Sequence, residues 1–276
     1  MSTSPPPANP STDWSPEQYL LFRDARNRPI TDLLSALDPS FTPTTIIDLG
    51  CGPGNSTSLL ASHFPSASLS GIDSSPAMLA RARAALPSVP FSLADLTSYT
   101  PPSGTSLLFS NAVFHWLPSA VRIPTIVRLL QSQSPGGVLA FQVPANYHEP
   151  SHRAMRDAAA APGLWKRFFE ELPAGEKPEL DPIEEEGVYY DALRPFCTRV
   201  EMWTTRYVHV LEGCGEVVEW VKGTGLQPFL KALPEEEGVR EAFLDEYRRR
   251  LEEGFPRRVD GTVLLGYPRF FVVCHR

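Results

Sequence analysis

The chain reads as an α/β protein on a Rossmann-like, doubly wound and mainly parallel sheet, with a helical N-terminal segment and a C-terminal lid or substrate region. Three observations predict this. An apolar run breaks into a glycine-rich loop at Ile46-Ile47-Asp48-Leu49-Gly50-Cys51-Gly52-Pro53-Gly54, and a helical pattern follows it. About twenty positions on, a second apolar run, Ala67 to Ile72, ends in Asp73. From about residue 44 to 145, strand-like and helix-like patterns alternate, as parallel strands joined by crossover helices require.

Taken in order, residues 1–12 are Pro- and Ser-rich and lack both the apolar stretch of a secretory signal and the arginines of a transit peptide; they read as a disordered tail. Residues 13–40 carry apolar positions at helical spacing (Tyr19, Leu20, Phe22, Ile30, Leu33, Leu34, Leu37), interrupted at Pro29, which predicts two opening helices or a kinked one. Residues 41–146 form the cofactor-binding core. Gly50, Gly52 and Gly54 let the backbone turn tightly and approach a ligand, and an Asp at the tip of the next strand suits a ribose diol. The glycine spacing is GxGxG rather than the GxGxxG of dinucleotide sites. Asp48 would repel a pyrophosphate but suits the ammonium and sulfonium end of S-adenosyl-L-methionine. Phe91 to Leu96 reads as a third strand ending at Asp95, placed to hold an adenine amino group, and Leu107 to Ala112 as a fourth. Helices are expected at Asn55–Phe64, at Pro76–Leu86 with Ser74 or Ser75 as cap, and at Ser119–Leu130, with a strand at Gly136–Val143. Together these strand-end signals resemble a class I S-adenosylmethionine-dependent methyltransferase domain. The cofactor-contacting residues are then Asp48, Gly50, Cys51, Gly52, Asn55, Asp73, Ser74, Met78, Asp95, Leu96, Asn111 and Trp116.

Residues 147–260 change texture, and read as a substrate-binding or lid insertion. Helical patterns at Ser151–Ala160 and Leu164–Leu172 lead to an acidic, proline-broken loop at Pro173–Gly187. A strand follows at Arg199–Val210, then helices at Gly215–Thr224 and Pro234–Phe255, the last with an apolar stripe. Residues 261–276 supply two further strands, Thr262–Leu265 and Arg269–Cys274, that complete the sheet. The acidic groups Glu184 to Glu186 and Glu235 to Glu237 read as solvated charges.

Composition narrows the function. With 276 residues, 42% apolar, a sizeable core is available. A net charge of −7 argues against nucleic acid as a partner. No run is long enough to span a membrane. The four cysteines, Cys51, Cys197, Cys214 and Cys274, are scattered without a metal-binding pattern and read as reduced thiols in a cytoplasmic protein. No metal site is expected.

Several segments resemble the trans-aconitate methyltransferase family: Asp13 to Pro29, Ile47 to Thr57, Gly71 to Leu79, Asn111 to Pro118, Glu149 to His152, Tyr189 to Asp191, Trp220 to Leu226 and Gly266 to Phe271. The resemblance covers nearly all of the chain and implies esterification of one carboxylate of a small polycarboxylic acid. Gln227 stands where the family usually has a basic residue, and Lys222 and Arg206 are additional cations. Transfer to a carboxylate needs no general base, because the oxygen is already ionised near neutrality, so no catalytic residue is expected beyond those that position. A polyanion inside an acidic protein needs fixed cations, and Arg28 before Pro29 and Arg269 between Pro268 and Phe270 are the candidates. Tyr19, Trp116, Tyr147, Tyr207 and Trp220 would wall the pocket, with His115 and His209 as further donors. The expected partner is a small carboxylic acid, with the chain acting as monomer or weak homodimer. Two other readings stay open: a natural-product methyltransferase or cyclising enzyme on the same scaffold, and a non-catalytic S-adenosylmethionine-binding subunit.

Overall fold

The computed structural model describes residues 23–173, 176–178, 181–235 and 238–276; the expected tail and Tyr19 lie outside them. Five parallel strands, β1 (Thr45–Leu49), β2 (Ser68–Asp73), β3 (Phe91–Leu93), β4 (Leu107–Asn111) and β5 (Val138–Pro144), are joined by α2 (Asn55–His63), α3 (Pro76–Ala85) and α4 (Ser119–Gln131). Helix α1 (Arg23–Ser35) precedes them. Two antiparallel strands, β6 (Arg199–Leu211) and β7 (Val263–His275), close the sheet in the order β3-β2-β1-β4-β5-β7-β6. The central strands are apolar because both faces are covered: α1 lays Ile30, Leu33 and Leu34 on one face, with Leu37 just after it, while α4 packs Ile126, Leu129 and Leu130 in the core of the other. Pro29 lies within α1, so the described part of the expected break is one helix.

Strand β7 is the element whose length matters most. Its residues Arg269 to His275 pair with β5, and the whole of it pairs with β6, so residues 263–268 run on past the end of β5. That overhang carries Val263, Leu265 and Tyr267 into a second apolar cluster. The cluster is built from α5 (Pro150–Ala160), α6 (Lys166–Glu171), α8 (Cys214–Lys222), α9 (Gln227–Lys231) and α10 (Val239–Gly254). The two expected C-terminal strands are thus one. Pro268 is tolerated inside it because its carbonyl faces the β5 side, accepting from Ala145 N–H at 2.9 Å, where β5 has already ended; its missing N–H breaks no rung of the ladder. Gly266 leaves room for Arg206, whose Nη2 would lie 2.0 Å from a Cβ there.

Other boundaries also shift. The third strand ends at Leu93 rather than Leu96, the long helix begins at Val239 rather than Pro234, and the acidic loop gives way to a helix, α7 (Glu186–Leu193). Helix α9 was not legible as an element, since Pro228 and its five-residue length carry no periodic signal. Glu184 is not simply solvated. Arg122, fully buried on α4, donates from Nη1 to Glu184 at 3.0 Å and to Pro182 O at 2.9 Å, and from Nη2 to Leu117 O at 2.9 Å. Its Nε reaches Phe114 O at 3.2 Å. One guanidinium therefore ties the acidic segment to the 3₁₀ turn Phe114–Trp116 that follows β4. Replacing Arg122→Met should strand Glu184 and three carbonyls and lower stability by about 3–5 kcal/mol, read as a fall in the urea midpoint; a shift below about 0.5 kcal/mol would remove Arg122 from this role.

Candidate functional site

A cleft of ≈470 Å³ opens at the carboxyl ends of β1, β2 and β4 and runs beneath the helical cap, the place where open parallel sheets hold ligands. Its sheet end is shaped by the loop after β1. Gly50 (φ 70°) and Gly52 (φ 53°) occupy left-handed backbone, and a Cβ on Gly50 would lie 2.4 Å from Val113 Cγ2. Asp73 closes the loop from β2: its Oδ2 accepts from Gly52 N–H and its Oδ1 from Ser75 N–H, both at 2.8 Å. Gly50, Gly52, Asp73, Ser74, Met78, Asp95, Leu96, Asn111 and Trp116 all line this cleft. Asp95 is exposed and accepts from Thr97 N–H and Thr97 Oγ1, bonds that hold its carboxyl below the usual range.

Three other expected cofactor residues lie elsewhere. Cys51 is buried among Leu79, Ala82 and Phe91, and burial pushes its thiol up; it fills space. Asp48 is wholly buried beneath the loop rather than on the cleft wall, because Ser56 and Thr57 at the start of α2 donate to its Oδ2 at 2.7 and 2.6 Å. Burial raises its carboxyl to about 6, and its Oδ1 has no partner. Asn55 begins α2 outside the cleft lining, with a buried Nδ2 that is also without a partner. The positive-φ glycines and the Asp73 carboxylate on the cleft wall suit a nucleoside, so these residues fit S-adenosyl-L-methionine.

The cap end is cationic. Arg269, 7% exposed, lines the cleft, with Nη1 donating to Gln142 Oε1 at 3.1 Å and its guanidinium 5.1 Å from the Tyr267 ring. Trp220 lines it too. Arg28 does not: it is exposed, 5.5 Å from the ring of Tyr207. The arginine that α1 brings to the cleft is Arg26, 5% exposed, donating from Nη2 to Trp220 O at 2.9 Å. Helical arithmetic separates the two. Arg26 sits four and seven residues before Ile30 and Leu33 on the buried stripe, whereas Arg28 shares its stripe with Asp32 and Ser35. Tyr207 also faces away, donating its hydroxyl to Asp32 Oδ2 at 2.5 Å and so tying β6 to α1. Tyr147 lies on a neighbouring cavity of ≈410 Å³, under Arg156 at 3.7 Å. His209 stacks behind Trp220 at 4.1 Å and is not on the cleft wall. The cations set apart by the family comparison are spent on the surface, Arg206 on Glu149 at 2.6 Å and Lys222 on Glu219 at 3.3 Å.

His115, Asn146, His152, Thr224 and Tyr267 also line the cleft. Of these only His115 was singled out from sequence; its Nδ1 is buried without a partner. His152 meets Ser151 Oγ through Nδ1 at 3.1 Å, and Gly225 leaves space for its Nε2 edge, which a Cβ would approach to 2.8 Å. The carboxylates on the cleft wall, Asp73 and Asp95, belong to the strand ends, and the arginines to the cap side. The arrangement can therefore hold a cationic nucleoside at one end and an anion at the other. Among the described residues no cluster suits a metal ion and no helix is long and apolar enough to cross a membrane.

Comparison with known proteins gives the family and the fold. A family described as "Methyltransferase domain" matches residues 46–137. The chain is 45% identical over 264 residues to the trans-aconitate 2-methyltransferase of Afipia carboxidovorans, covering 96% of this chain and 99% of that protein. It is 46% identical over 261 residues to the protein of the same name from Rhodopseudomonas palustris strain HaA2, covering 95% and 98%. Among solved structures, Bacillus subtilis YcgJ matches with a TM-score of 0.53 at 10% identity, over 90% of this chain and 97% of that one. Phosphoethanolamine N-methyltransferase 2 of Haemonchus contortus matches with a TM-score of 0.51 at 16% identity, over 90% and 52%. Both share the Rossmann-like sheet.

The buried imidazoles make stability depend on pH. Burial lowers His152 to about 3 and His209 to about 4, and holds His115 well below its ordinary value. Unfolded histidines take up protons near pH 6.5, so between there and about pH 4 the unfolded chain binds more protons and stability falls as pH falls. Asp48, raised to about 6, acts in the opposite sense, one group against three. The urea midpoint should drop steadily from pH 7 to 5, and His152→Gln should flatten the slope; a midpoint that holds or rises over that range would contradict the assignment.

Proposed function

Because the chain belongs to the trans-aconitate 2-methyltransferase family, we propose that it esterifies one carboxylate of a small polycarboxylic acid, trans-aconitate foremost, using S-adenosyl-L-methionine. The observation that carries the reading is the single cleft whose strand-end wall suits a nucleoside and whose cap side offers two buried guanidiniums, Arg26 and Arg269. Bound there, S-adenosyl-L-methionine supplies an electrophilic methyl group on a sulfonium. Asp73 and the Gly50–Gly52 loop hold the nucleoside end.

Arg26 and Arg269 hold the non-reacting carboxylates, and a guanidinium suits this because its planar fork gives two hydrogen bonds to one carboxylate. Trp116, Trp220 and Tyr267 exclude water, which strengthens those charge interactions. No residue has to remove a proton, since the attacking oxygen is ionised at neutral pH. What the chain contributes is alignment, and alignment alone is worth several orders of magnitude in rate.

Arg26→Ala and Arg269→Ala should each lower kcat/KM for trans-aconitate by roughly thirty- to several-thousand-fold, the equivalent of about 2–5 kcal/mol for truncating one side of a buried charge pair. Arg→Lys at either position should restore only part of this. Arg28→Ala, on the solvent stripe of α1, should stay within about threefold of the parent. These rates are read by transfer of labelled methyl groups, with donor affinity followed separately by calorimetry. Wild-type efficiency in both Arg26→Ala and Arg269→Ala would overturn the polyanion reading.

A further inference from the structure

We infer that Gln142 is a positioning residue that turns the Asn111 amide so that its N–H groups face the acceptor carboxylate; the inference rests on the polyacid reading above. Strand β5 is apolar and wholly buried apart from this glutamine, which has no exposed surface and does not line the cleft. A buried primary amide is costly unless its oxygen and nitrogen both find partners. Gln142 finds both: its Oε1 accepts from Arg269 Nη1 at 3.1 Å, and its Nε2 donates to Asn111 Oδ1.

The direction of this chain is forced. A guanidinium only donates, so the Gln142 oxygen faces Arg269 and its nitrogen faces Asn111. Asn111 must answer with its carbonyl oxygen. Its Nδ2 is thereby directed away from Gln142, and Asn111 lines the cleft at the end of β4 together with His115, Trp116 and Arg269. The backbone keeps the pair in register. Asn111 is the rung opposite Gln142, and the next residue, Ala112, donates its N–H to Gln142 O at 2.9 Å. Ala112 does so with φ 58°, in the left-handed region that a side chain disfavours, a conformation held by its surroundings.

The polarity of Asn111 decides which acceptor the cleft suits. An N–H directed at the transfer point stabilises an anionic oxygen, whereas a carbonyl there would repel it and suit an amine. Arg269 thus has two roles, holding one carboxylate of the acid and, through Gln142, setting the donor for another.

The test compares Gln142→Glu, Asn111→Ala and the double variant in steady-state kinetics with trans-aconitate, alongside donor affinity by calorimetry and thermal melting. In Gln142→Glu the introduced carboxylate accepts from Arg269 and from Asn111 together, so the Asn111 carbonyl turns to the cleft. Each single variant should stay folded and lose roughly 10- to 100-fold in kcat, the scale of a misplaced reacting group, and Gln142→Glu, which lies off the cleft wall, should keep donor affinity within about twofold. The double variant should be no worse than the weaker single one, because both remove the same donor. Undiminished kcat in Gln142→Glu, additive losses, or a loss confined to donor affinity would each overturn the relay. A wild-type protein that binds the donor but methylates no polyacid would overturn the functional reading as well, which separates the two failures.

Discussion

The structure depends on one strand outrunning its neighbour. β5 ends at Pro144 opposite Arg269, yet β7 begins six residues earlier at Val263 and is held to β6 throughout. A two-stranded ribbon projecting alone is marginal in water, and here it is stabilised by burying Val263, Leu265 and Tyr267 under α5, α8 and α10. The cap is therefore anchored to the sheet by a strand rather than hung on a loop. The cleft lies at the junction, and Arg269 is the last residue of β7 that pairs with β5. Its position is as rigid as the ladder that carries it.

Around that junction an acidic chain, net −7, orients two of its buried arginines in part through backbone carbonyls. Arg26 gives a hydrogen bond to Trp220 O, joining α1 to α8, and Arg122 gives several to the carbonyls of the turn that bears His115 and Trp116. Such carbonyl partners fix the direction of a guanidinium, and Arg122 adds the Glu184 carboxylate at 3.0 Å. Exposed ion pairs, such as Arg206 with Glu149 or the Arg249, Arg250 and Glu246 group on α10, lie at the periphery, where solvent makes them weak.

The cofactor end shows how far local chemistry can be read. The glycine loop, Asp73 and the strand ends at Asp95 and Asn111 are set by short-range rules, namely which residues allow φ > 0, which end a buried strand and which carry an acceptor there, and the structure places them on one cleft. Asp48 shows the limit. Its place at the end of β1 was legible, but its side chain turns under the loop because Ser56 and Thr57, in the first turn of α2, supply two hydroxyls. The β7 strand shows another. Gly266 and Pro268 are local signs of a break, overridden because one accommodates Arg206 and the other has its missing donor where no partner strand remains.

Sequence by itself determined the fold class, the cofactor loop and its acidic strand ends and the apolar stripe of α1, because each follows from residue type and a period of two or 3.6 residues. Only the tertiary structure decided which cation on α1 enters the cleft, that Tyr147 and Tyr207 serve other contacts, and that His152, Asn146 and Tyr267 join the wall. Those choices bring together residues more than a hundred positions apart, such as Arg26 with Trp220 and Gln142 with Arg269. No local pattern encodes such a meeting; it depends on the register of β5 against β7 and on how the cap seats over the strand ends.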